Sequence, residues 1–249
     1  MEGTLFWSIA VLAAVFIGLA KGGLPVMGML SVPLLTLILP PVTAAGLLLP
    51  VYVVSDVFGL YAYRHAINRR VLAIMAPAAA LGVGLGWLFA TTLPDTLLTG
   101  FVGLIGTVFA LSLLTRRGPA PTARPARVGP GLFWGMLSGL TSFLSHAGAP
   151  PYQVYVLPLR MEKTVFAGTT TVLFAVVNAV KLVPYAALGQ LSVANLNVAA
   201  LLVLPAVLAV FAGVWLVRIL PEVLFYRLVT WALLAISLKH LLSAVFTTV

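Results

Sequence analysis

Long apolar runs separated by short gaps are the feature that most constrains the fold of this chain. A helix needs about 20 apolar residues to cross the hydrocarbon core of a bilayer, with about 17–25 the usual range. Because backbone polar groups find no water inside a bilayer, runs of this length are expected to be helical. Six runs in the sequence reach this length: residues 42–63, 71–92, 96–115, 164–187, 196–217 and 222–246. The sequence therefore predicts an all-α polytopic membrane protein.

The composition agrees with a membrane protein and excludes several function classes. Only 8% of the residues are charged and 62% are hydrophobic, whereas soluble domains average about 25% charged residues. The chain has no cysteine, which excludes disulfides and thiolate metal sites. It has neither an HExxH motif nor a Gly-Lys-Ser phosphate loop, so we expect no enzyme activity, no metal site and no cofactor. The net charge of +9 resides mainly in gaps between apolar runs, so we expect no nucleic-acid binding.

An interrupted apolar region begins each half of the chain. The interrupted regions are 4–20 followed by 24–39 in the first half, and 131–145 followed by 151–159 in the second half. Lys21-Gly22-Gly23 separates the first two pieces, and a segment rich in Gly, Ala and Pro separates the second two. Each piece is at or below the spanning length. The two pairs are therefore either tilted helix pairs or hairpins that enter the membrane and turn back.

The order of these segments indicates an internal duplication. Residues 116–130, RRGPAPTARPARVGP, form the only long polar stretch and are expected to be an extended cytoplasmic linker. On either side of it the order is the same: a broken pair and then three long helices. We therefore predict a first transmembrane repeat over 1–115 and a second over 131–249.

The basic residues predict the orientation of the helices. Cytoplasmic loops carry an excess of Lys and Arg. Eleven of the fourteen basic residues fall in gaps assigned to one side: Arg64, Arg69, Arg70, Arg116, Arg117, Arg124, Arg127, Arg160, Lys163, Arg218 and Arg227. With these gaps inside the cell, run 42–63 points inward and its counterpart 164–187 points outward. The two repeats are therefore predicted to have inverted topology, a recurring design of secondary transporters with a midplane site between the repeats.

Two lysines, Lys21 and Lys181, lie inside apolar stretches. A lysine at the centre of a membrane helix costs about 2.5–3.5 kcal/mol on insertion scales, and such residues are usually functional. A cation in a membrane interior most naturally faces an anion. The alternative is that Lys21 extends its ammonium group to the membrane surface and that the neighbouring glycines only pack helices. The two lysines therefore indicate a membrane transporter for a small anion.

The two interruptions supply the first candidate binding residues. In the first, Gly22 and Gly23 let the backbone approach a ligand closely, and Pro25 is suited to begin a helix whose free N–H groups attract anions. In the second, hydroxyl, imidazole and amide groups can hydrogen-bond an oxyanion. These side chains belong to Ser142, Ser145, His146 and Gln153. His146 is also a candidate to carry a coupling proton, with a purely structural hydrogen bond as the alternative.

Run 164–187 presents a polar face that supplies the remaining candidates. Thr171, Asn178 and Lys181 have helical spacing and share one side, and Thr170 lies beside them; threonines that bond their own helix backbone are the alternative. Asp56 is the only acidic residue deep in an apolar run. It either forms an ion pair with one of the two lysines or carries a coupling proton.

Three tyrosines near the ends of the apolar runs, Tyr61, Tyr63 and Tyr185, are expected to lie in the aromatic belt at the membrane surface.

These residues resemble the TauE/SafE sulfite exporter family over nearly the whole chain. The resemblance rests on Lys21-Gly22-Gly23 through Val32-Pro33-Leu34-Leu35, on Ser55-Asp56 followed by Ala62-Tyr63-Arg64, and on Gly168-Thr169 with Asn178-Ala179-Val180-Lys181-Leu182-Val183-Pro184-Tyr185 and Gly189. The second interruption departs from the family pattern, with Ser145-His146-Ala147-Gly148-Ala149-Pro150 in place of a glycine-rich form.

The resemblance implies export of sulfite, sulfoacetate or a related organosulfonate across a bacterial inner membrane, driven by an H+ or Na+ gradient. The expected mechanism is alternating access between the two repeats, and a homodimer is the candidate assembly. The alternatives are a membrane subunit without transport of its own and an intramembrane enzyme. The adjacent Ser145 and His146 are poorly arranged for a proton relay, which disfavours an enzyme.

Overall fold

A computed structural model describes residues 3–89, 95–115, 122–145, 147–189 and 191–246. Within these ranges the chain forms ten α-helices and one short 3-10 helix, with no β-strand. The helices are α1 Thr4–Lys21, α2 Pro25–Leu35, α3 Pro41–Tyr63, α4 Arg69–Leu88, α5 Asp95–Leu114, α6 Val128–Ser145, α7 Ala149–Val156, α8 Lys163–Ala187, α9 Val193–Ile219 and α10 Glu222–Phe246, and the 3-10 helix is Leu157–Leu159. The prediction of an all-helical chain is confirmed.

Among the residues that the structure describes, six helices are long and apolar enough to cross a membrane. They contain the spans Thr4–Lys21, Thr43–Tyr63, Arg69–Leu88, Lys163–Ala187, Asn195–Ile219 and Glu222–Val245. The protein is therefore a multi-pass membrane protein. Five of these spans correspond to the predicted long runs, and the sixth is α1. The remaining predicted run, 96–115, forms α5, of which residues Gly100–Leu114 qualify as a shorter apolar helix. The side chains at its beginning lie outside the described part.

The boundaries of the helices follow from local sequence. Pro25 and Pro41 occupy first positions of α2 and α3, where the missing N–H costs no hydrogen bond. Ser192 caps α9, because its hydroxyl oxygen accepts a hydrogen bond of 3.2 Å from the N–H of Asn195. The predicted linker is too long at its C-terminal end, since α6 already begins at Val128. Residues 116–121 of the linker lie outside the described residues.

The second helix of each half is short. Helix α2 has 11 residues and α7 has 8, and at 1.5 Å per residue they measure about 16 and about 12 Å. The hydrocarbon core of a bilayer is about 30 Å thick. Neither helix can cross a membrane on its own, so each forms only part of its interrupted pair.

The helices form two compact units. Unit 1 comprises Met1–Asn68 and Thr164–Leu220, and thus α1, α2, α3, α9 and nearly all of α8. Unit 2 comprises Arg69–Lys163 and Pro221–Val249, and thus α4 to α7 and α10. Each unit takes helices from both halves of the sequence. The units describe packing and not ancestry, so the division into repeats over 1–115 and 131–249 stays a prediction.

Close helix packing holds unit 1 together. Its apolar core lies among α1, α2, α3 and α9. Gly18 of α1 lies so close to α9 that an added Cβ would collide with the carbonyl oxygen of Ala206. Gly22, which directly follows α1, is as close to the carbonyl oxygen of Val210. Small residues permit this approach of two backbones, which is the usual source of packing energy between membrane helices.

Close helix packing at glycine residues also holds unit 2 together. Helix α6 packs on α4, where a Cβ at Gly139 would collide with the carbonyl of Ala79. Helix α5 packs on α10, where a Cβ at Gly103 would lie 2.5 Å from the backbone nitrogen of Leu241. Glycine at these positions therefore sets the distance between the helices.

Candidate functional site

The interruption between α1 and α2 is built around Gly23. Its φ angle of 104° lies in the left-handed region that glycine adopts without strain. A Cβ at this position would also lie 2.5 Å from the Tyr63 hydroxyl and 2.7 Å from the Cβ of Ala167. The Tyr63 hydroxyl donates a hydrogen bond of 2.6 Å to the carbonyl oxygen of Gly22. Both conformation and space therefore require glycine here, and α3 holds the interruption in place.

The N–H groups of the interruption are already used. The N–H of Gly22 donates to the carbonyl of Gly18 at 2.8 Å, and the N–H groups of Gly23 and Leu24 donate to carbonyls in the last turns of α1, both at 3.1 Å. In this conformation neither glycine offers a free N–H to an anion. Their assignment as substrate-binding residues stays a prediction, and the physical role seen here is to end α1 with Lys21 facing inward.

Lys21 forms a buried ion pair with Asp56. Its Nζ lies 2.7 Å from Oδ1 of Asp56, and both side chains are only 5% exposed. Asn178 of α8 donates from Nδ2 to the other carboxylate oxygen of Asp56 at 2.8 Å. The Lys21 ammonium also lies 5.2 Å from the centre of the Tyr52 ring, within the range of a cation–π contact. Of the alternatives for Asp56, the structure shows the pair with Lys21, and Lys21 does not extend to the membrane surface.

Lys181 belongs to the same buried surroundings. It lies one helical turn after Asn178 on α8 and is only 1% exposed. With both lysines protonated and Asp56 ionised, these three side chains carry one net positive charge. A buried excess of positive charge is the arrangement that attracts an anion.

The threonines of α8 serve local structure. The hydroxyl of Thr170 donates to the carbonyl of Phe166 in its own helix at 2.7 Å, the alternative that helical threonines make common. The hydroxyl of Thr171 donates to the carbonyl of Lys21 at 3.2 Å and so ties α8 to the end of α1. Contact of either residue with a substrate stays a prediction.

The interruption between α6 and α7 in unit 2 is held by hydroxyl groups. Ser138 donates to the carbonyl of Gly148 at 2.7 Å, and Thr141 donates to that of Ala147 at 3.0 Å. Ser142 is buried nearby in the sequence, at 5% exposure. His146 and the side chain of Ser145 lie outside the described residues, so their roles in substrate binding and proton coupling stay predictions.

Gln153 of α7 has a buried side chain whose hydrogen-bonding capacity is not fully used. Its side chain is 1% exposed, and its Oε1 has no hydrogen-bond partner within the described part of the chain. An unpaired buried carbonyl oxygen is costly, which is consistent with a ligand or water at this position. As for metals, the described residues contain no group of three His, Asp or Glu side chains that could hold an ion.

Comparison with known families decides the classification. A sequence model of the sulfite exporter family TauE/SafE matches residues 10–240. The chain belongs to the TauE/SafE sulfite exporter family. No curated protein and no solved structure matches the chain. TauE/SafE proteins are membrane transporters and not enzymes, so the resemblance inferred from the motifs is confirmed and the enzyme alternative is removed.

Sequence reasoning missed part of the surroundings of Lys21 in this TauE/SafE chain. Tyr63 is 3% exposed and Tyr185 is 7% exposed, so the prediction that they lie in an aromatic belt at the membrane surface is wrong. Tyr52 was not singled out. A signal existed: Tyr52, Asp56 and Tyr63 follow one another by four and seven residues, a spacing that places them on one helix face.

Proposed function

We propose that this protein is a secondary transporter that exports a small sulfur-containing anion, such as sulfite, sulfoacetate or a related organosulfonate. The proposal rests mainly on a buried cluster of polar and charged side chains in unit 1, formed by Lys21, Asp56, Asn178 and Lys181. Membership of the TauE/SafE family supports the substrate class. The proposed site of binding lies near the membrane midplane between two inverted repeats, which exchange access by alternating conformations.

The charge arrangement supports selection of an anion. The charges of Lys21, Asp56 and Lys181 sum to one positive charge, which a monovalent anion would neutralise. Adding a monovalent anion brings the buried charge of the cluster to zero, which lowers the cost of holding ions in a low-dielectric interior. A cation would raise the buried charge to two and is disfavoured for the same reason.

The helix partners within each unit support the proposed repeats. In unit 1, α1 packs on α9, which pairs the first helix of the first half with the fourth helix of the second half. In unit 2, α6 packs on α4, which pairs the first helix of the second half with the fourth helix of the first half. Equivalent pairings of this kind are expected when two copies of one repeat exchange helices.

Asp56 is the proposed proton carrier, with His146 as the second candidate and Na+ as the alternative coupling ion. A proton on Asp56 would cancel its charge and free Lys21 to face the anion. In the bacterial inner membrane, the proposed location, a negative interior favours outward movement of an anion by about 2.3 kcal/mol per charge per 100 mV. The membrane potential would therefore assist export of the anion alone, whereas an anion carried together with one proton moves no net charge and is driven by the concentration gradients of the two ions.

Replacing Lys181 with methionine tests the proposal. The purified chain is placed in lipid vesicles, and exchange of isotope-labelled sulfite and sulfoacetate is measured against acetate as an anion without sulfur. We expect Lys181→Met to lower exchange at least about tenfold, since a lost charge-assisted contact is worth about 1.5–3 kcal/mol.

The matched control is Lys239→Met, which removes a lysine from the exposed face of α10 and should leave exchange unchanged. Both variants are checked for an unchanged elution volume and helix content. Full exchange in the folded Lys181→Met variant would contradict the role of its charge. Exchange of acetate as fast as that of sulfite would contradict the substrate class.

A further inference from the structure

A cavity in unit 2 lies beside the linker between α5 and α6. Its volume is about 490 Å³, and it is lined by Phe109, Arg124, Pro125, Arg127, Pro130, Trp134, Val154, Tyr155, Pro158 and Leu159. None of these residues belongs to the lysine cluster of unit 1. The proposed transport mechanism makes no use of this cavity.

The linker wall of the cavity is fixed in place. The N–H of Arg124 donates to the carbonyl of Pro158 at 3.0 Å, and the Tyr155 hydroxyl donates to the carbonyl of Arg127 at 2.9 Å. Arg70 adds a third contact, since its Nε donates to the carbonyl of Ala126 at 3.0 Å. These bonds hold the backbone at three points and leave the guanidinium groups of Arg124 and Arg127 at the surface, where both side chains are exposed.

Within the part of the chain that the structure describes, no carboxylate pairs with the positive charge at this wall. The cavity lining contains no acidic residue, and within the described residues neither Arg124 nor Arg127 forms a salt bridge. Arg124 and Arg127, which line the cavity, provide planar, fork-shaped donors that match the geometry of a phosphate group.

The rest of the lining is apolar. Phe109 and Trp134, together with Val154 and Leu159, supply two aromatic and two aliphatic side chains. Arg124 and Arg127 lie in the chain between two apolar helical segments, Gly100–Leu114 of α5 and Val128–Leu144 of α6. A free inorganic anion would gain nothing from the apolar walls, whereas an amphiphile places its phosphate on the arginines and its carbon chains along those walls.

We propose that this cavity binds the headgroup phosphate of an anionic phospholipid. Arg124 and Arg127 bind the phosphate, Arg70 adds to the local positive charge, and Trp134 and Phe109 contact the glycerol and the first carbons of the acyl chains. The lipid would thereby add to the hydrogen bonds that already hold the end of the linker against α7.

Binding is measured by native mass spectrometry of the full chain in detergent. Three ligands are titrated separately: phosphatidylglycerol, phosphatidylcholine and the soluble glycerol 3-phosphate. The test variant is Arg124→Gln/Arg127→Gln. The control variant is Arg64→Gln/Arg227→Gln, which removes two exposed arginines that do not line the cavity.

We expect phosphatidylglycerol to bind at least about tenfold more tightly than phosphatidylcholine, and the test variant alone to lose this preference. Equal loss in both variants would show a general effect of net charge and would overturn the proposal. Glycerol 3-phosphate binding as tightly as the lipid would overturn the choice of a lipid. Should the test variant fail to fold, the wild-type preference between the two lipids still decides the outcome, since equal binding refutes the proposal.

Discussion

Replacing Asp56 with asparagine tests the buried charge cluster most directly. Asp56 lies 2.7 Å from the Lys21 ammonium, and both side chains are 5% exposed, so solvent screens their attraction very little. Asparagine keeps the size of the side chain but removes the charge that compensates Lys21. Breaking a buried ion pair by removing one partner costs about 3–5 kcal/mol, because an uncompensated charge stays buried. We expect Asp56→Asn to lose this amount of unfolding free energy.

A double-mutant cycle separates the ion pair from other effects of the substitution. Lys21→Met removes the other charge, and the double variant removes both charges of the pair, so that neither partner stays buried without the other. We expect the double variant to be more stable than the sum of the single effects predicts, with a coupling of about 2–3 kcal/mol. Additive single effects would refute the ion pair as the source of the destabilisation.

The free energy of unfolding is measured by titration with a denaturing detergent in mixed micelles, followed by circular dichroism. The control is Glu222→Gln at the exposed start of α10, which should cost less than about 1 kcal/mol since only a helix-end interaction is lost. An Asp56→Asn variant as stable as this control would also refute the reasoning.

Two further predictions concern the interruption between α1 and α2. Gly22→Ala should destabilise the fold by about 1–3 kcal/mol, because the new Cβ would collide with the carbonyl of Val210. The control is the same change at Gly84, where no atom lies within 4 Å of the added Cβ. Gly84→Ala should stabilise α4 by up to about 1 kcal/mol. Equal effects in detergent unfolding would contradict the close packing of α1. Tyr63→Phe should cost about 1 kcal/mol through loss of its hydrogen bond, while Tyr61→Phe, at a residue 65% exposed, should cost nothing measurable. A silent Tyr63→Phe in the same assay would exclude the bond to Gly22 as a stabilising contact.

The number and placement of the helices could be predicted because they depend on local properties of the chain. Length and apolarity determine which runs can lie in a bilayer. For this reason five of the predicted long runs correspond to observed spans. Proline and glycine mark the interruptions: Pro25 begins α2, and Gly23 takes up a backbone angle that few other residues tolerate. The family could be recognised for the same reason, since its motifs are short and continuous.

The partners of the buried groups could not be predicted in this way. The sequence did not indicate which of the two lysines pairs with Asp56. The hydrogen bond between Asp56 and Asn178 joins residues 122 positions apart in the chain. Sequence periodicity gives the face of a helix on which a residue lies, but not which other helix that face meets. Tyr63 shows the limit clearly, because its position near a helix end indicated the membrane surface while its hydroxyl is buried on Gly22.

The sequence by itself determined the helical membrane fold, the two interruptions and the two lysines that must be accommodated in an apolar interior. Only the tertiary structure decided that Lys21 is compensated by Asp56, that Gly22 and Gly23 use their N–H groups within α1, and that α1 packs on α9. The physical reason is the range of the interactions. Helix formation and insertion depend on neighbouring residues, whereas ion pairing and close packing depend on distances between helices that are remote in the chain.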